Sequence, residues 1–202
     1  LSYLFLDIES YVDPEDESSG LNAFRPSTRI FGISYNYYSH NNLKIESIKS
    51  PTFLFDWKIG SEKELLQEFY LVLKKSAKEE HAKIVGFNHL SYDIPMLFFR
   101  MVYHNIAPKD ELFGLLFVGP RHIDLAQIGM AFCEATKKSR DFRCVSQKNI
   151  NSQFNIPIKE NSGRDLSRFY DKKQFDKIET YCSEEFTFEL LYLSLLEYFL
   201  MK

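Results

Sequence analysis

Three short stretches of this chain carry oxygen-bearing side chains at spacings that can converge. Within the first ten residues, LSYLFLDIES, an apolar run ends in Asp7 and Glu9. Residues two apart on a strand point to the same face with Cα atoms about 6.5 Å apart, so both acids share one patch that could bind a cation. The other reading is a strand end that turns polar as it leaves the core. In GFNHLSYDIPML, residues 86–97, a short apolar segment delivers Asn88, and Asp93 opens a helix. In YCSEE, residues 181–185, Tyr181 and Glu185 stand at i and i+4 on one helical face. Four carboxylates (Asp7, Glu9, Asp93, Glu185) and a phenol, drawn from a strand and two helices, suit a two-metal phosphodiester site. A phosphodiester is anionic and resists water, whereas two divalent cations about 3.5 to 4 Å apart activate the water and stabilise the leaving oxygen. Hard cations such as Mg²⁺ take oxygen ligands, which the chain offers in place of a soft sulfur cluster.

Composition narrows the alternatives. The 202 residues fit one domain, 1–202, long enough to bury a core, and 45% hydrophobic with 16% aromatic residues is a globular composition. A net charge of −3 argues against a broad basic surface for nucleic acid and leaves room for a local groove. Cys133, Cys144 and Cys182 are odd in number and lack C-x-x-C spacing, which argues against a disulfide framework or a cysteine zinc site and points to a reduced, cytoplasmic setting. The histidines show no zinc-ligand spacing. The apolar start has no basic flank and stops at Asp7, unlike a signal peptide, and residues 190–196, between Glu189 and Glu197, are too short for a membrane span. No membrane association is expected.

The positioning elements follow from pattern. Residues 13–20 (DPEDESSG) read as an acidic loop, and residues 29–37 and 43–48 as the second and third strands of an antiparallel meander turning at Asn41 and Asn42. Ser61 and Glu64 form a capping box before Leu65, Leu66, Phe69, Val72 and Leu73 at helical spacing. Residues 83–88 then make a short buried strand, parallel to its neighbour, and residues 92–103 a helix with Pro95 in its first turn. Residues 121–125 (RHIDL) give a fifth strand, with Asp124 capping the helix that begins after it. Residues 146–154 read as a short helix. Residues 175–201 read as one long helix whose wide apolar face implies deep burial or a partner surface. The fold class is α/β: a mixed five-stranded sheet flanked by helices, with a helical C-terminal part.

In this order and spacing the three segments resemble the motifs of the DnaQ-like (DEDD) 3′→5′ exonucleases, tyrosine subclass. Within that family the chain is similar to the stand-alone proteins related to the exonuclease domain of family B DNA polymerases. G-F-N-x-x-x-Y-D-x-P-x-L is the most specific motif. SQKNINSQFNIP, residues 146–157, resembles the helix that leads into the third motif, so the resemblance covers nearly the whole chain. It implies a ribonuclease H-like fold and a metal-dependent exonuclease. Such an enzyme uses two Mg²⁺ or Mn²⁺ ions to release nucleoside 5′-monophosphates from the 3′ end of single-stranded DNA or RNA. Asp7 would bridge both metals, Glu9 would help hold the metal that activates water, and Asp93 would bind the second, directly or through water. Asn88 and Ser10 would contact the substrate strand, and Tyr181 would orient the attacking water. No histidine follows His122, which excludes the histidine subclass.

The departure is Glu185, where the family has Asp. The extra methylene adds about the rise of one helical residue, ~1.5 Å. Reduced activity, a shift toward Mn²⁺, or a helix set further back are the expected consequences, and Glu184 is a less well placed substitute. Lys159 in IPIKENSG aligns loosely with a lysine of protein-primed polymerases. Ser162 stands where an apolar residue is expected, so a substrate contact and a solvated loop lysine are both open. His89 and Tyr92 read either as nucleotide contacts or as a surface His and a packed Tyr, and Phe87 or Phe24 could stack bases. No polymerase domain is expected within these 202 residues, so any service to a polymerase is expected in trans. The alternative is a catalytically weakened nucleic-acid end-binding or assembly module of a replication or repair complex, docked through its C-terminal helix. Retention of Asp7, Glu9, Asp93 and Tyr181 favours the enzyme.

Overall fold

The computed structural model describes residues 2–12, 25, 27–39, 43–79, 81–132, 145–158 and 163–200. Its strands are β1 (Tyr3–Tyr11), β2 (Arg29–Tyr38), β3 (Thr52–Phe55), β4 (Lys83–Gly86) and β5 (His122–Asp124), in the order β3-β2-β1-β4-β5. The central β1 runs antiparallel to β2 and parallel to β4, which is itself parallel to β5. The helices are α1 (Asp56–Ile59), α2 (Glu62–Leu73), α3 (Asp93–Tyr103), α4 (Lys109–Phe113), α5 (Leu125–Gly129), α6 (Gln147–Gln153), α7 (Leu166–Asp171), α8 (Phe175–Glu185) and α9 (Phe188–Leu200). This is a mixed open sheet with helices on both faces, and it explains why β1 is a near-continuous apolar run. Leu4, Leu6 and Ile8 pack with Leu65, Leu66 and Phe69 of α2 and with Ile94, Leu97 and Met101 of α3. Tyr3 and Phe5 pack on the other face with Phe188, Leu191, Tyr192 and Leu195 of α9. By alternation Asp7 and Glu9 belong to that second face, beneath the C-terminal helices.

The helix starts are built as their sequence signals indicate. Ser61 Oγ accepts the Glu64 N–H at 3.3 Å and so caps α2, while the Glu64 carboxylate takes the Ser61 hydroxyl at 3.0 Å in place of the backbone N–H that a capping box would use. Ser146 caps α6 and Asp124 caps α5 in the same manner.

Two expected elements are corrected. Residues 43–48 are not the third strand: Ile45–Ser47 forms a single 3₁₀ turn, and β3 lies further on. Ser47 Oγ donates to the Lys44 carbonyl and accepts the Lys44 N–H, both at 2.8 Å, a local closure that competes with the ladder. The expected helix over residues 175–201 is two helices, α8 and α9, broken at Phe186 and Thr187. The break lets Phe186 and Phe188, which cannot share a face of one helix, meet in one core with ring centroids 5.1 Å apart. β4 also stops at Gly86, short of Asn88. The loop at 13–20, the turn at Asn41 and Asn42, Phe24, Cys133, Cys144 and Lys159 lie outside the described residues. No described helix is long and apolar enough to cross a membrane.

Candidate metal centre

In the β1–β2 ladder Asp7 stands opposite Ser34 and Glu9 opposite Gly32, and the register shifts between Glu9 and Ser10. A side chain at position 32 would press on its neighbours: its Cβ would sit 3.2 Å from the Phe55 ring and 3.3 Å from Glu9 Cβ. α8 lies over this end of β1, with Ile178, Tyr181 and Cys182 in a core shared with Phe31, Phe55 and Leu166. Glu185, one turn after Tyr181, is the last residue of the helix. Together these elements bring one carboxylate oxygen each from Asp7, Glu9 and Glu185 within 4.8 Å of one another. Glu9 is only 7% exposed; Asp7 and Glu185 are half-buried.

Tyr181 is 2% exposed and donates its hydroxyl to the Glu185 carboxylate. Burial first, then the charges of Glu9 and Glu185, push its acidity far above the ordinary phenol value, so it is a protonated donor at neutral pH. A Cβ at Gly163 would lie 3.1 Å from that hydroxyl, so the segment entering α7 closes against the phenol. The Cys182 thiol, 3.8 Å from Glu9 Oε1, donates to that carboxylate and is likewise pushed up, chiefly by burial.

Asp93 stands beside this cluster, not in it. β4 pairs with β1 only as far as Phe5 opposite Val85, which leaves the edge of β1 open beyond. Asp93, the first residue of α3, closes that edge: its Oδ1 accepts the Ile8 N–H at 3.0 Å. Its carboxyl is pushed up to about 7, mostly by burial; the Ile8 N–H pulls it down, and Glu185 and Asp124 raise it further. Asn88 is exposed in the loop before α3 with φ +59°. Ser10 Oγ and the Tyr92 hydroxyl hydrogen-bond to each other, so Ser10 is engaged by the helix start next to Asp93. Glu184 points to solvent.

His89 fits neither sequence reading. It is fully buried, with Nε2 3.1 Å from His122 Nδ1, and burial pushes its pKa down to about 4. Asp124 does more than cap α5. Its carboxylate accepts the N–H groups of Asn88 at 2.8 Å, Leu90 at 3.2 Å and Ala126 at 3.0 Å, tying the Asn88 loop to the sheet. The sequence signal for that role is an acid at a strand end next to the motif loop, which by itself reads only as a cap. Gln147, whose Nε2 donates to the Glu185 carbonyl at 2.7 Å, lies in the segment 146–157 whose sequence indicates a helix, but nothing in that pattern singles out this side chain.

No protein-family model matches the chain, and neither does the sequence of any curated protein. Among solved structures it is similar to the family B DNA polymerase from the hyperthermophilic archaeon Pyrobaculum calidifontis. The identity is 16% and the TM-score 0.59, over 99% of this chain and 24% of that one. Partial likenesses include E. coli Exonuclease I in complex with an oligonucleotide, with 11% identity, TM-score 0.44, and 64% and 29% of the two chains covered. An apo Exonuclease I gives 12% identity, TM-score 0.44, and 64% and 30%. The chain thus spans about a quarter of the polymerase it matches end to end. That likeness shows the fold, which is ribonuclease H-like.

Proposed function

We propose that this chain is a metal-dependent 3′→5′ exonuclease of the DEDD tyrosine subclass, acting as one domain over residues 1–202 on the 3′ end of single-stranded DNA or RNA. The observation that carries the reading is the convergence of Asp7, Glu9 and Glu185 within 4.8 Å beside the protonated Tyr181 phenol. Direction and subclass rest on the three-motif resemblance.

The donor set fits a hard divalent cation. Three carboxylates this close repel one another, and Glu9 is almost shut off from water, so a cation with oxygen preference relieves both costs. Asp7, Glu9 and Glu185 would hold one Mg²⁺ or Mn²⁺, and Asp7 with Asp93 would serve a second. Such a group would supply the Lewis acidity that activates water and stabilises the leaving oxygen.

The remaining work falls to the chain itself. The Tyr181 hydroxyl, a donor held next to Glu185, orients the attacking water. Asn88, exposed on the loop that Asp124 fixes, and Ser10, held by Tyr92, contact the terminal nucleotide. Lys159 is placed on the substrate side by resemblance alone. A replication or repair protein is the partner class that suits such an activity.

A 5′-labelled single-stranded oligonucleotide incubated with Mg²⁺ or Mn²⁺ tests this. The expected result is a ladder of products shortened from the 3′ end, lost in Asp7→Ala. Binding without a ladder in either metal would replace the enzyme with an end-binding module. Matched DNA and RNA oligonucleotides then assign the sugar, since the metal site reads phosphate and not the 2′ position.

A further inference from the structure

The last carbonyls of an α-helix have no partner within it. At the end of α8 the carbonyl of Glu185 accepts the Thr187 N–H at 2.7 Å and, from a residue 38 positions earlier in the chain, the Gln147 side-chain amide at 2.7 Å. The same Gln147 nitrogen reaches Thr187 Oγ1 at 3.2 Å, and that hydroxyl also takes a bond from Asn151 Nδ2 at 2.9 Å. Gln147 and Asn151 are one turn apart and share a face of α6.

α6 is anchored in its own right. Ile150 is fully buried in the core beneath α9, and a Cβ at Gly129 would lie 3.1 Å from it, so α5 and α6 are in close contact there. The amide that reaches the Glu185 carbonyl therefore projects from a fixed helix. Its target is the backbone of the residue whose side chain is one methylene longer than the family pattern. A longer side chain has one more torsion and more ways to miss a shared point. Holding the carbonyl of that residue fixes the origin from which the carboxylate reaches Asp7 and Glu9.

We propose that Gln147, with Thr187 as its shared acceptor, is the positioning residue of the Glu185 arm and sets how tightly the acidic cluster holds its cation. The proposal rests on the metal-site reading above. Outer residues that orient ligands are worth on the order of 10- to 100-fold in metal affinity, and Gln147 acts on a ligand's backbone, so about tenfold is expected.

The test is Mn²⁺ binding by the full chain, followed as loss of the free-ion electron paramagnetic resonance signal, with no nucleic acid present. Gln147→Met keeps the volume and removes both donors. It should weaken Mn²⁺ binding about tenfold, and cause no further loss in a Glu185→Ala background, because its effect passes through Glu185. Parent-like binding by Gln147→Met overturns the proposal, as does the same loss repeated in the Glu185→Ala background, which marks a general structural role. Should Gln147→Met fail to fold, Thr187→Val, which removes the shared hydroxyl together with its own longer bond to the Glu185 carbonyl at 3.4 Å, is read against the same two outcomes. A parent chain that binds no Mn²⁺ overturns the metal site itself and this proposal with it; a parent that binds with unaffected variants overturns the proposal alone.

Discussion

Asp93 Oδ1 accepts the backbone N–H of Ile8 at 3.0 Å, so the residue between the two strand carboxylates is tied to the first residue of α3. One side chain thus completes the edge of β1 and, in the proposed function, would also bring a carboxylate to the metal site. Different substitutions separate them. Asp93→Ala leaves a buried N–H without an acceptor and should cost about 1–3 kcal/mol in urea unfolding. Asp93→Asn keeps an acceptor and removes a charge that is only 4% exposed, so it should unfold at the same urea concentration as the parent or higher. Both should lose activity, on the order of 10- to 100-fold. Equal stability of the two variants would show that the Ile8 bond contributes nothing.

The pH dependence follows from the same carboxyl. Its value in the folded chain is pushed up to about 7, foremost by burial, against roughly 3.9 in an unfolded chain. Between those values the folded state binds more protons than the unfolded one. The contribution of Asp93 to stability is therefore fully present below about pH 4 and is lost as pH rises through about 7. A divalent cation opposes the loss by favouring the ionised form. Thermal melts without metal should fall from pH 5 to pH 8, and Mg²⁺ should raise the melting temperature more at pH 8 than at pH 5. A Mg²⁺ effect independent of pH would count against Asp93 as part of the centre.

The parts of this fold that were legible in the sequence are those decided within a few residues. Asp7 and Glu9 share a face because a strand repeats every two residues, and Ser61, Ser146 and Asp124 announce helix starts by satisfying orphan N–H groups. What long-range packing decides was not legible. The break at Phe186 and Thr187 has no Gly or Pro to signal it and exists because both Phe186 and Phe188 enter one core. Likewise the alternation in residues 43–48 suits a strand, but the edge position went to β3, whose Gly32↔Phe55 pairing puts a ring over the one residue of β2 that can accept it. His89 reads as a nucleotide contact or a surface histidine until β5 brings His122 against it.

Glu185 is placed for its own length. Its carboxylate already converges with those of Asp7 and Glu9, from a helix end held by Gln147. Glu185→Asp should withdraw the oxygen by about the length of one methylene, ~1.5 Å, from the proposed site, where a small divalent cation would tolerate little error. The expectation is weaker Mn²⁺ binding and lower activity, most severe with Mg²⁺. Calorimetric titration of parent and variant checks it; tighter binding by the Asp variant would mean that α8 sits too close to β1 for the longer side chain.

Gly163 separates orientation of the phenol from its presence. A methyl group there would stand 3.1 Å from the Tyr181 hydroxyl, closer than nearly all real Cβ contacts, so either the phenol or the chain entering α7 must give. Tyr181 and Leu166, just beyond on α7, share one core with Ile178 and Cys182, but the hydroxyl is the far tip of the Tyr181 ring and needs only a small swing to move. Gly163→Ala should therefore tilt the hydroxyl away from its bond to Glu185 and slow the chemical step. Tyr181→Phe, which removes the hydroxyl outright, sets the limit of that loss. Single-turnover rates on a 5′-labelled oligonucleotide should fall in the order parent, Gly163→Ala, Tyr181→Phe, with melting temperatures of the alanine variant within a few degrees of the parent. An alanine variant as fast as the parent would mean that the segment entering α7 yields freely and has no part in setting the phenol.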